Sequence, residues 1–134
     1  MKRALITGAS SGIGRAIAIQ LANSGVEVFL VARRKEKLAE LPGHHLVADV
    51  NDKDIVDKIA KFTNKKIDIF INNAGLALGR DKVETASWED MQGMIDTNIT
   101  ANFRIAHAVV PWMLANGGGD IINLCSIAGH YTYS

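Results

Sequence analysis

The stretch "LITGASSGIGRAI", Leu5 to Ile17, governs how the rest of the chain is read. An apolar run from Ala4 to Thr7 leads into Gly8, Gly12 and Gly14, spaced G-x-x-x-G-x-G, after which Ile13, Ile17 and Leu21 fall at helical intervals. A strand, a glycine turn and an amphipathic helix in that order make the first half of a βαβ unit. Glycines let the turn be tight and let the main chain approach a pyrophosphate, whose charge the unpaired N–H groups of a helix start would meet. The bland alternative is a turn that needs glycine only for packing. The place of the loop, after a first strand and before an amphipathic helix, favours dinucleotide binding, with Gly8, Ser10, Ser11, Gly12, Ile13 and Gly14 as the contacting residues.

The same alternation continues downstream. Apolar runs at Val26 to Ala32, His45 to Val50, Ile67 to Asn72 and Ile121 to Ser126 read as further strands. Gly25 can end the first helix, and Asn51 can cap a later one whose Ile55, Ile59 and Phe62 make one face. Strands that are apolar throughout, alternating with helices, predict a parallel sheet covered on both faces: an α/β, doubly wound arrangement with strand order 3-2-1-4-5. No repeat or linker divides the chain, so residues 1–134 read as a single dinucleotide-binding domain. The longest helical pattern, Met94 to Asn116, is apolar around more than one face. One side would cover the sheet and the other a further surface such as a second copy, giving a homo-oligomer through this helix. Pro111 should kink or loosen it.

At 134 residues and 48% hydrophobic, the chain is long and apolar enough to bury a core. A net charge of +1 with both signs interspersed gives no general attraction to nucleic acid or anionic membrane, which leaves a small molecule as the expected partner. Cys125 is the one cysteine, no apolar run reaches the length of a membrane span, and the start lacks a signal-peptide pattern, so a cytoplasmic setting is expected. Neighbouring His44 and His45 would point to opposite faces of a strand and make a poor metal pair, so no metal is expected.

The end of the second strand bears on the choice of cofactor. An acidic side chain there would hold the ribose hydroxyls of NAD and repel a 2′-phosphate, and Ala32 does neither. Arg33 and Arg34 follow at once, and guanidinium groups suit a phosphate dianion, so NADP is expected over NAD. Lys35 and Lys37 read instead as a solvated helix start.

Four segments, "TGASSGIG" from Thr7, "ADV" from Ala48, "NNAG" from Asn72 and "SIAG" from Ser126, together resemble the short-chain dehydrogenase/reductase family. "ARRKEKLAEL", "NNAGLALG" and "WEDMQGMIDTN" are further similar to its NADP-dependent branch acting on serine and other 3-hydroxy acids. The resemblance implies an oxidoreductase that moves hydride between nicotinamide and an alcohol or carbonyl. It gives Asp49 and Val50 an adenine-binding role and places Asn72, Ala74 and Gly75 along the cofactor channel. It makes Asn98 and Ser126 catalytic, the first holding a water in a proton relay and the second orienting the substrate carbonyl. His107 reads as structural, and His130 as a weak substrate contact.

The family's proton donor is a tyrosine in a Y-x-x-x-K motif, about 13 residues past the serine. Tyr131 and Tyr133 lie too near Ser126 and have no lysine four places on, so the expectation is of the cofactor-binding portion of such an enzyme, inactive alone. A non-catalytic dinucleotide-binding module or subunit is the alternative. A nucleotide-sugar epimerase is disfavoured by the glycine spacing and by "NNAG".

Overall fold

The computed structural model describes residues 1–10, 12–75 and 84–124. Strand β1 (Arg3–Thr7) is followed by helix α1 (Gly12–Asn23), β2 (Glu27–Ala32), the short α2 (Lys35–Leu38), β3 (His44–Val47), α3 (Ile55–Thr63) and β4 (Ile69–Asn72). Then come α4 (Trp88–Ile95), a π-helical segment (Asp96–Ala101), α5 (Asn102–Ala115) and β5 (Asp120–Asn123). Among the described residues the strands form one parallel sheet in the order β3-β2-β1-β4-β5, as expected. The order reverses between β1 and β4, which opens a crevice at the carboxyl ends of those two strands.

Alternation along the central strands explains why both faces are covered. Ala4, Ile6, Val28, Leu30 and Ile71 turn to one side and pack with Ala18 of α1 and Leu38 of α2. Leu5, Phe29, Val31 and Phe70 turn to the other and pack with Ile55 and Ile59 of α3 and Ile105, Val109 and Met113 of α5. Each of the larger of these side chains, removed from water, contributes about 1.5 to 3 kcal/mol, which is what holds helices to both faces. The expected face of α3 is present: Ile55 and Ile59 are buried, and Phe62 packs edge-on to Phe29.

Several element ends differ from the sequence reading. Helix α1 ends where expected, at a Gly25 with φ +86 that lets the chain reverse into β2. Asn51, however, does not cap α3: that helix starts after Asp54, and Asn51 Nδ2 instead donates to Thr97 Oγ1 at 2.8 Å. Strand β3 stops at Val47 rather than Val50, because Asp49 leaves the ladder for a turn in which its Oδ1 accepts from the Asn51 N–H at 2.9 Å. The expected single helix over 94–116 is instead α4, the π segment and α5 in unbroken succession, and α5 continues through Pro111 to Ala115. The irregularity falls at Asp96–Ala101, in the half of the run away from the proline.

Among the described residues no helix is long and apolar enough to cross a membrane, and no group of three or more His, Cys, Asp or Glu side chains is placed to hold a metal.

Candidate functional site

A cleft of about 300 Å³ lies over the carboxyl ends of β1, β2, β3 and β4. Its floor is built by two loops pressed together. Thr7, fully buried at the end of β1, accepts through Oγ1 from the main-chain N–H groups of Asn73 and Ala74, both at 3.1 Å. Asn73 Nδ2 in turn donates to the Gly8 carbonyl at 3.0 Å. A Cβ at Gly8, where φ is +64, would stand 3.0 Å from Ala74 Cα and from the Asn73 carbonyl oxygen. A Cβ at Gly14 would run into the Asn73 amide and the Gly8 carbonyl. Glycine at these two positions therefore lets the loop after β1 and the start of α1 lie directly on the loop after β4. The first N–H groups of α1 are left without helical partners there, which suits a pyrophosphate.

The other end of the cleft is charged. β2 ends on the buried Ala32, and Arg33 and Arg34 line the mouth as exposed side chains that make no hydrogen bond or ion pair to any described residue. Across from them, the turn after β3 carries Asp49 and Val50 into the wall. That turn is pinned by Asp52, whose Oδ2 accepts from the Asp49 N–H at 3.1 Å and pairs with Lys58 Nζ at 3.2 Å. The Asp49 N–H, then Lys58, hold the Asp52 carboxyl below the ordinary aspartate range, so it stays ionised and keeps the turn in place.

Of the residues singled out from sequence, Gly8, Ser10, Ile13, Arg33, Arg34, Asp49, Val50, Ala74 and Gly75 line this cleft. Gly14 is buried beneath it, and Gly12 is exposed at the first position of α1. Asn72 sits inside β4, 7% exposed, and it is its neighbour Asn73 that reaches the cleft wall. Asn98 lies in the π segment, its Oδ1 3.3 Å from where a Gly75 Cβ would stand. Ser11 and Ser126 fall outside the described residues, as do Cys125, His130, Tyr131 and Tyr133.

Sequence reasoning passed over the hydroxyl of Thr7, the side chain of Asn73, Thr97 in the wall, and Asn102 at the start of α5. A signal existed for the first two: a polar residue closing an apolar strand, and a doubled asparagine closing another, invite the question of what they bond. None existed for Thr97 and Asn102, whose roles depend on how a helix is seated.

The model of the short chain dehydrogenase family matches residues 2–134. The serine 3-dehydrogenase of Agrobacterium fabrum is 38% identical over 96% of this chain and 55% of its own length. The NADP-dependent 3-hydroxy acid dehydrogenase of Schizosaccharomyces pombe is 39% identical over 98% of this chain and 56% of its own. Among solved structures, the closed form of serine dehydrogenase complexed with NADP+ superposes with a TM-score of 0.88 at 36% identity, covering 98% of this chain and 57% of that one. The chain thus spans a little over half the length of the curated relatives it matches.

Proposed function

The chain belongs to the short-chain dehydrogenase family, and we propose that it forms the NADP-binding portion of an oxidoreductase that interconverts a small alcohol and its carbonyl compound, with 3-hydroxy acids of the serine type as the substrate class. The observation that carries the cofactor choice is the mouth of the cleft: Arg33 and Arg34 stand unpaired among the described residues, beside an Ala32 that has no acid to repel a phosphate. When bound, the cofactor supplies the hydride. The chain's own residues bind and orient. The glycine floor and the first N–H groups of α1 receive the pyrophosphate, Arg33 and Arg34 receive the 2′-phosphate, and Asp49 and Val50 face the adenine.

Asn98 and Ser126 are the catalytic assignments, Ser126 orienting the substrate oxygen and Asn98 holding a water for the proton path. The family's Y-x-x-x-K pair is not among residues 1–134, where the last lysine is Lys82, so our assignment covers cofactor binding, Asn98 and Ser126 alone. Residues 1–134 act as one dinucleotide-binding domain in this reading.

Titration of NADPH and NADH into the protein and into Arg33→Ala tests the cofactor choice. Loss of a charged hydrogen bond costs about 1.5 to 3 kcal/mol, so the variant should bind NADPH roughly tenfold to a hundredfold more weakly and NADH almost unchanged. Equal weakening for both cofactors would refute the 2′-phosphate assignment.

A further inference from the structure

Asn102 is an odd residue for the first turn of a helix that packs on the sheet. Asparagine is a weak helix former, and this one encloses its Oδ1 away from solvent with no hydrogen-bond partner among the described residues. Its Nδ2, in contrast, is engaged twice: it donates to the Asn98 carbonyl at 2.8 Å and to the Ala74 carbonyl at 3.2 Å. The exit from the π segment into α5, a tight i→i−3 turn, makes the first of these bonds available. The main-chain N–H of Asn102 goes to the Ile99 carbonyl, so the side chain takes the Asn98 carbonyl that a regular α-turn would have given to the main chain.

The second bond completes a clamp. Ala74 is held on its N–H side by Thr7 of β1 and on its carbonyl side by Asn102 of α5. Ala74 and Gly75 form the cleft wall facing Gly8, on the β4 side of the switch point, away from Arg33 and Arg34. A dinucleotide whose adenosine half lies toward the end of β2 must place its nicotinamide half on this β4 side.

We propose that Asn102 is a positioning residue for the nicotinamide half of the cofactor: by holding the carbonyls of Ala74 and Asn98 together, its carboxamide fixes where the β4 wall of the cleft stands. The inference rests on the NADP reading. A purely structural Asn102 would make a different prediction. Leucine at this position has the same branched heavy-atom skeleton with somewhat bulkier ends, favours the helix and removes the unpartnered Oδ1, so the fold loses little by the change, whereas the wall loses its clamp.

The test titrates NADPH and 2′,5′-ADP, which lacks the nicotinamide half, into the unmodified protein, Asn102→Leu and Asn102→Asp by calorimetry, with thermal melts alongside. In Asn102→Leu, NADPH should weaken roughly tenfold while 2′,5′-ADP stays within about twofold and the melting temperature barely moves. Asn102→Asp keeps the shape but loses both donors and sets a carboxylate against two carbonyls, so it should show the same separation of the two ligands. NADPH binding unchanged in either folded variant, or an equal loss for both ligands, overturns the assignment. If the unmodified protein binds neither ligand, the cofactor reading itself fails and takes this inference with it. Binding of 2′,5′-ADP without tighter binding of NADPH would overturn only the nicotinamide positioning.

Discussion

Gly12 and Gly14 are two residues apart in the same loop, yet they are glycines for different reasons, and the difference can be measured. A Cβ at Gly12 meets nothing within 4 Å, so alanine there pays only for holding φ at +57, about 1 to 2 kcal/mol. At Gly14 the Cβ would collide with the Asn73 amide and the Gly8 carbonyl, and the floor of the cleft would have to part. Overpacking of that kind costs about 1 to 3 kcal/mol and also moves the surface that a pyrophosphate would touch. Gly14→Ala should therefore lower NADPH affinity at least about tenfold, while Gly12→Ala mostly lowers the urea midpoint. Fluorescence titration and urea unfolding of the two variants check this, and a larger NADPH defect in Gly12→Ala would count against the contact argument. The glycine spacing was legible in the sequence, but what each glycine touches was not, because the contacting Asn73 arrives 65 residues downstream of Gly8.

The three strands on one side of the switch point are tied at their amino ends by a polar cluster unrelated to the cleft. Arg3 of β1 pairs with Glu27 of β2 at 3.0 Å and lies 4.3 Å from the centre of the Phe29 ring. His44 of β3 stacks on Phe29 and meets the other oxygen of Glu27 at 3.0 Å. The His44 hydrogen bond first, and then Arg3, hold the Glu27 carboxyl below the ordinary value of 4.5 against the opposing effect of desolvation. Because the folded value is the lower one, the stabilisation is fully present above the unfolded value and is lost as pH falls through the folded one. Urea midpoints measured from pH 6 down to about pH 3 should thus fall more steeply for the unmodified protein than for Glu27→Gln; parallel curves would show that Glu27 contributes no acid-side dependence. Periodicity revealed the strands themselves, since each is apolar on both faces. It did not reveal the π segment, whose extra width is supported by ties to other elements, Asn51 to Thr97 and Asn102 to Ala74, and not by local propensity.

Across the molecule, a helical surface stays exposed among the described residues. Ile105, Val109 and Met113 face the sheet and are buried, whereas Phe103 and Leu114 on the same helix are 73% and 70% exposed. Trp88, Ile95 and Ile99 continue the exposed set along α4 and the π segment. Intervals of four from Ile95 through Ile99 to Phe103, and of eleven on to Leu114, keep these side chains on one stripe. This surface was foreshadowed by the residue pattern, because a helix apolar all round has more to bury than one sheet can cover, but periodicity could not indicate which residues face which way. A two-fold contact would bury each of these side chains twice. At about 1.5 to 3 kcal/mol for a fully buried large apolar side chain, such a contact can exceed the roughly 4 to 15 kcal/mol that association costs in lost freedom. The protein should accordingly self-associate, with a sedimentation coefficient that rises with concentration. Phe103→Asp removes two large apolar groups from a symmetric contact and sets two carboxylates near it, so it should shift the equilibrium toward monomer by roughly a hundredfold or more while leaving the melting temperature of the monomer nearly unchanged. A single monomeric species for the unmodified protein at high concentration, or association that Phe103→Asp leaves intact, would show that the stripe is covered in some other way.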